Sequence, residues 1–239
     1  MKCRRKEMKI AELTLLLLLS AALLISGCGN SEREVQPSRS GGFTFLEIGS
    51  DTVYSKALRS KLKGVLDSGG IITQTPIDLN LMAPGFLADY FPELDALNRQ
   101  FNRAGEARVE HDTIQLYHRH ARRKAQPFDV VELLFNQSTG QPLYFKIKTD
   151  AAGEELVDAM QAKHGDPTIV ELNDRLGKIY SWQHQADRLV MVREIDRRDN
   201  VKFHIGIYYG THLKALLKTE LEAIEKEREA RRKAGEKAF

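Results

Sequence analysis

The residues best suited by type and spacing to chemistry are Glu110-His111-Asp112 and, six residues on, His118-Arg119-His120. If 113–120 is extended, side chains two apart share a face, so His118 and His120 would present two imidazoles to one ion. His111 or Glu110 would supply a third ligand. Zinc takes nitrogen and carboxylate donors in a tetrahedral set, but two histidines do not specify it, and a solvated polar strand accounts for the same residues. In a helix over 113–124 the imidazoles of His118 and His120 would diverge. Arg119, Arg122, Arg123 and Lys124 add a basic cluster beside them. Arginine forks match phosphate oxygens, so lipid phosphate, lipopolysaccharide or an acidic partner would suit this cluster. A solvated loop between two strands is the plainer alternative.

A second candidate is aromatic. Tyr180, Trp182 and His184 alternate along one strand, and His204 and Tyr208 share a face of a later one. An exposed stripe of Tyr180, Trp182 and Tyr208 would give large contact area to a partner at small entropic cost. The competing expectation is that the amino-terminal half of the chain buries them. Local catalytic signatures are absent: there is no Gly-x-Ser-x-Gly turn, His-Glu-x-x-His helix, phosphate-binding Gly-rich loop ending in Lys-Ser or Lys-Thr, or Cys-x-x-Cys. No motif demands a cofactor. Binding or assembly is therefore expected in preference to catalysis. A small-molecule, metal or lipid-binding protein using 110–124, and an envelope hydrolase with dispersed catalytic groups, stay open as alternatives.

The elements that must position these residues follow from periodicity. Phe43, Phe45 and Ile48 suggest a short strand, and Val53 to Leu66 carries apolar residues at helical spacing with Ser50 or Asp51 as cap. Ile71 to Leu81 reads as extended or irregular, because Pro76 argues against a central strand. Pro92 suits the first turn of a helix bearing Leu94, Leu97 and Phe101 and ending near Gly105. Period two over 128–135 and 143–148 flanks the turn Asn136 to Gly140, giving a hairpin. A helix over 151–164 stops at Gly165-Asp166-Pro167, and four strands over 168–172, 178–185, 188–195 and 201–209 read as a meander. Helix followed by hairpin occurs twice, around 50–149 and 151–209, a candidate duplication.

The carboxy-terminal helix begins at Gly210-Thr211. Leu213, Leu216, Leu217, Leu221 and Ile224 form a stripe on its first half, whereas Glu225 to Lys237 is almost wholly charged. Glu222 with Lys226, Glu227 with Arg231 and Glu229 with Lys233 are i,i+4 pairs that would keep this extension helical without a core. It would be either a docking handle for an envelope protein or a solvated tail. The expected class is α+β: an antiparallel sheet built from hairpin and meander, helices packed on one face, and a long C-terminal helix.

The amino terminus sets the address. Lys2, Arg4, Arg5, Lys6 and Lys9 precede an apolar run from Leu13 to Ile25, too short for a membrane-spanning helix, and Ile25-Ser26-Gly27-Cys28 follows. This leader resembles that of bacterial lipoprotein precursors, with the tetrapeptide resembling a lipobox. The resemblance implies cleavage before Cys28 by lipoprotein processing enzymes and acylation of its thiol. Several acyl chains would make a stable anchor, each buried methylene contributing about 0.8 kcal/mol. By resemblance to enterobacterial sorting, Gly29 favours the outer membrane, with the domain facing the periplasm. The expected organisation is a signal peptide over 1–27, a lipidated cysteine and tether over 28–42, a globular domain over 43–210 and a C-terminal helix over 211–239. A tether of this polar composition would separate domain and bilayer by about 20 Å.

Charge changes meaning once the leader is discounted. Residues 1–27 carry five basic and two acidic side chains, so of 36 basic and 33 acidic residues the remainder holds 31 of each. A neutral domain directed out of the cytoplasm excludes nucleic acid as an expected partner. Of the two cysteines, Cys3 leaves with the leader and Cys28 is acylated on this reading, so no internal disulfide is expected.

Overall fold

The computed structural model describes residues 42–66, 69–103, 109–119, 128–150, 153–172, 177–196 and 198–238. Contacts divide the chain into Met1–Glu34 and Val35–Phe239. Every described residue belongs to the second unit.

Helix α1 (Lys56–Leu66) buries Leu58, Leu62 and Leu66, one residue per turn. Its cap is Ser55, whose Oγ accepts from Leu58 N at 3.1 Å. Ser50 and Asp51 lie upstream of it. There Gly49 and Thr52 bond each other, and Phe45 and Ile48 close a tight bridge instead of forming a strand.

Strand β1 (Gly70–Thr75) ends just before Pro76, so the proline sits outside the ladder. After a short helix α2 (Phe86–Tyr90), Pro92 opens α3 (Pro92–Phe101), which buries Leu94, Leu97 and Phe101. Its end comes at Asn102, earlier than Gly105.

Strands β2 (His111–Arg119), β3 (Val130–Asn136) and β4 (Pro142–Thr149) then form a meander. The β3–β4 turn is held by Asn136 Oδ1, which accepts from Ser138 N, Ser138 Oγ and Thr139 N. Gly140 completes the turn at φ 71°, a left-handed conformation that a side chain would strain.

Helix α4 (Gly153–His164) leads into a second meander: β5 (Thr168–Glu171), β6 (Lys178–His184), β7 (Asp187–Ile195) and β8 (Val201–Tyr208). The eight strands make one antiparallel sheet in the order β1-β2-β3-β4-β8-β7-β6-β5. Each half is a helix followed by four antiparallel strands, with α2 and α3 inserted between β1 and β2 of the first half, and the halves join through their last strands, β4 and β8. Helix α5 (Gly210–Ala238) follows β8 after one residue.

The α+β class, the antiparallel sheet and the long C-terminal helix are as expected. The helices, however, occupy both faces of the sheet. On one face α1, α4 and the Phe43–Ile48 segment cover Val131, Leu133, Phe135, Phe145, Ile147, Trp182 and Ile207. On the other, α2, α3, the 77–81 strap and the start of α5 cover Leu134, Tyr144, Val190, Val192 and Tyr208. Central strands here are apolar on both sides: Leu133, Leu134 and Phe135 are all fully buried. A strand with two buried faces needs two covering layers, and single-face alternation does not describe it. Among the described residues no helix is long and apolar enough to cross a membrane.

Candidate functional site

The two faces differ in how far their cover extends. On the α1 face the apolar core runs across seven of the strands, from Leu116 in β2 and Ile71 in β1 to Trp182 in β6. On the α5 face, cover is concentrated at the end of the sheet where β8 runs out and β2 begins. Leu213, Leu216 and Leu217 pack there, and α5 is tied across to β2 because His111 Nδ1 lies 2.9 Å from both oxygens of Glu220. A carboxylate only accepts, so Nδ1 carries the hydrogen. Phe101 stands edge-on to the same imidazole, with ring centroids 5.2 Å apart. The strap is pinned beside them: Tyr208 donates its hydroxyl to Leu79 O at 2.9 Å, and Lys146 Nζ donates to Asp78 O at 2.6 Å.

Beyond this strap the strands continue and the apolar cover does not. The α5 face of the opposite sheet end opens into a cleft of about 460 Å³ lined by Arg119, Val130, Lys148, Glu194, Lys202 and His204 among others. Strand alternation puts these side chains on one face. Register sets them in a row: Arg119 pairs with Val130, Val130 with Lys148, and Lys148 with His204. Neighbouring strands lie about 4.8 Å apart, so Arg119 and Lys148 flank the Val130 side chain with backbones about 10 Å from each other.

Part of the charge in the cleft is already engaged. His204 Nε2 lies 3.0 Å from Glu194 Oε2. Burial holds the His204 imidazole below the usual histidine range, the neighbouring Lys148 charge pushes the same way, and Glu194 opposes both. The neutral ring thus donates from Nε2 to the carboxylate. Its Nδ1 is shielded from solvent and has no hydrogen-bond partner among the described residues. Lys202 Nζ is 3.0 Å from Asp196, whose carboxyl is held well below its ordinary range by that ammonium and by the backbone N–H of Arg198. Arg119 and Lys148 form no salt bridge with any described residue.

This geometry revises the metal candidate. The metal candidate sets His118 beside His120 with His111 or Glu110 as a third ligand, and of the two conformations open to this segment the described part is a strand, His111–Arg119. Yet His111 and His118 are seven residues apart in one strand and therefore face opposite ways. His111 lies under α5, whereas His118 is 4% exposed beside Leu116 and Leu62 on the α1 face. Gly69 permits that close packing, since a Cβ there would meet His118 Nδ1 at 2.5 Å. Among the described residues no three His, Cys, Asp or Glu side chains are grouped to hold a metal. His120, Arg122, Arg123, Lys124 and Cys28 lie outside the described residues, as do the leader and most of the tether.

The aromatic stripe is corrected as well. Tyr180 is 9%, Trp182 4% and Tyr208 1% exposed, and Tyr208 lies on the opposite face from the other two. Trp182 Nε1 donates to Gly165 O at 2.8 Å, so its polar edge is also consumed internally. An exposed contact surface does not form from these three residues. Arg119 is the one basic candidate seen in place, and it lines the cleft.

The second exposed feature is the arm of α5. Leu213, Leu216 and Leu217 are buried, but from Leu221 to Lys237 the helix is exposed apart from half-buried Ile224 and Glu229. Eighteen residues at 1.5 Å each make about 27 Å of helix. Glu227–Arg231 and Glu229–Lys233 pair as anticipated, and Arg232 adds contacts to Glu229 and Glu236. Glu222 pairs with Lys218, one turn earlier, and not with Lys226. Comparison of the chain with protein-family models, with curated proteins and with solved structures yields no match.

Proposed function

We propose that this chain is a lipid-anchored protein of the bacterial cell envelope, acylated at Cys28, facing the periplasm from the outer membrane and acting by binding or assembly instead of catalysis. The observation that carries the binding half of this reading is the α5 arm: about 27 Å of exposed helix held by its own ion pairs, with Leu221 44% exposed near its base. A helix maintained away from any core presents a continuous surface to a partner. The leader carries the address half, through its basic start, apolar run and Ile25-Ser26-Gly27-Cys28.

Labelled palmitate in the host bacterium tests the anchor: the chain incorporates label, globomycin blocks its maturation, and Cys28→Ala abolishes both. Label retained by Cys28→Ala would overturn acylation at that residue. Site-specific photo-crosslinkers at Glu222, Arg228 and Lys233 test the arm, with a discrete adduct expected; three positions without an adduct in intact cells would reject a docking role.

The small-molecule or lipid-binding alternative gains a specific support in the cleft. Its centre of gravity moves from 110–124 to the row through Arg119, Lys148 and His204.

A further inference from the structure

We infer that the cleft on the α5 face is a binding site for a phosphate-bearing ligand, with Arg119 and Lys148 gripping the phosphate from either side of Val130. Three observations carry it: the placement of the two cations, their lack of an ion-pair partner among the described residues, and the size of the cleft. The two cations stand two strands apart in one cross-strand row, with a short apolar side chain between them. Their long stems can lean inward over Val130, so guanidinium and ammonium reach one tetrahedral anion from opposite sides.

Among the described residues neither cation has an ion-pair partner, whereas Glu194 and Lys202 do. Glu194 is held by His204 Nε2 at 3.0 Å, and Lys202 is held by Asp196 at 3.0 Å. Asp129 and Asp150 also line the cleft. They lie at the strand ends, outside the row. About 460 Å³ falls within the range of small-molecule sites and leaves room for more than the phosphate itself.

Other places in the molecule carry less. The pocket of Phe43, His164 and His184 is polar, but among the described residues its histidines and Asp166, which accepts from Gln161, are not grouped to hold a metal, and the small cavity beside His118, about 100 Å³, is closed in by Leu62 and Ile71.

The phosphate would be either that of a soluble ester or that of a lipid headgroup. The site rests on a binding role and not on the acyl anchor. The test is calorimetric titration of the purified full-length chain in neutral detergent with glycerol 3-phosphate, and vesicle co-sedimentation with phosphatidic acid in phosphatidylcholine. Saturable binding to the first identifies a soluble phosphoester, and binding to the vesicles alone identifies a headgroup. In either arm Arg119→Gln and Lys148→Gln should each weaken binding about tenfold and their combination abolish it, while Lys226→Gln on the α5 arm changes nothing. Both substitutions replace exposed cations, and unchanged urea midpoints will separate lost binding from lost folding. Absence of binding in both arms, or binding indifferent to both substitutions, overturns the site. Palmitate labelling of the unsubstituted chain keeps the outcomes apart: no phosphate binding with labelling intact rejects the cleft alone, and phosphate binding without labelling rejects the anchor alone.

Discussion

The two ends of the α5 face are built from the same strands and behave as different materials. At one end β4 and β8 present Tyr144 and Tyr208, buried under the strap and the first turns of α5; four residues along each strand they present Lys148 and His204, open to a cleft. Side chains four apart on a strand share a face, so the pleat treats these positions alike. What differs is cover. Helix α5 crosses the sheet at the tyrosine end and then leaves it, and its departure point decides where the sheet stops being core and becomes surface. A stable fold and a polar recognition surface can thus share strands, provided that each strand changes composition at the helix boundary.

This contrast can be broken most severely from the opposite face, where the core continues under both ends. Phe145→Ala removes a fully buried ring between Phe135 and Tyr209 and should cost about 3–5 kcal/mol in urea unfolding. Both ends should lose stability together; a loss below about 1 kcal/mol would mean that this ring is not central.

Glu220→Ala cuts the tie between α5 and β2 and leaves the buried His111 N–H without its acceptor. A loss of about 1–3 kcal/mol is expected, with increased hydrogen exchange confined to α3 and the start of α5. Exchange rising equally in the cleft would show that the two ends are one cooperative unit.

The cleft end has its own signature in pH. His204 is held below its unfolded value of 6.5 in the folded protein, by burial first and then by Lys148, against the pull of Glu194; Lys202 also faces it. Its folded pKa is depressed, so its contribution is complete above 6.5 and is lost as pH falls through the folded pKa. His164 is shifted in the same direction, again mainly by burial. The urea midpoint of the parent should therefore fall more steeply between pH 7 and 5 than that of His204→Gln. Parallel curves would remove the imidazole from the account.

The smallest effect belongs to the arm. Deleting residues 226–239 removes exposed, mutually paired charges and should change stability by less than about 0.5 kcal/mol. A larger loss would place the arm within the core.

The meander, the Asn136–Gly140 turn and the start of α5 were legible because each is encoded locally, by alternation, a loop signature or a stripe of leucines. The second layer was not. Whether Leu79, Phe86 and Leu94 cover one face or the other depends on where a 35-residue connection between β1 and β2 lies, and no local period records that. The His111–Glu220 tie spans 109 positions and was equally invisible. For the metal candidate, period two justified grouping His118 with His120, but the same rule already set His111 on the far side. The cleft left a trace that could have been followed: Lys146 and Lys148 in β4, and Lys202 and His204 in β8, alternate with residues as apolar as Phe145, Ile147, Phe203 and Ile205. Polar residues at every second place in a central strand mark where a sheet face is uncovered.

The strand order has a kinetic consequence. Six of the seven strand pairings join consecutive strands, and only β4 with β8 brings together distant parts of the chain, Lys148 meeting His204 and Thr149 meeting Phe203. Closing a local hairpin takes microseconds, whereas a long loop must surrender more entropy before any contact rewards it. Each meander can therefore zip up alone, and the β4–β8 seam is the step that waits for both. Until that seam closes, Lys148 and His204 lie on separate half-sheets, each with an extra raw edge, so the recognition row is among the last parts of the molecule to come into being.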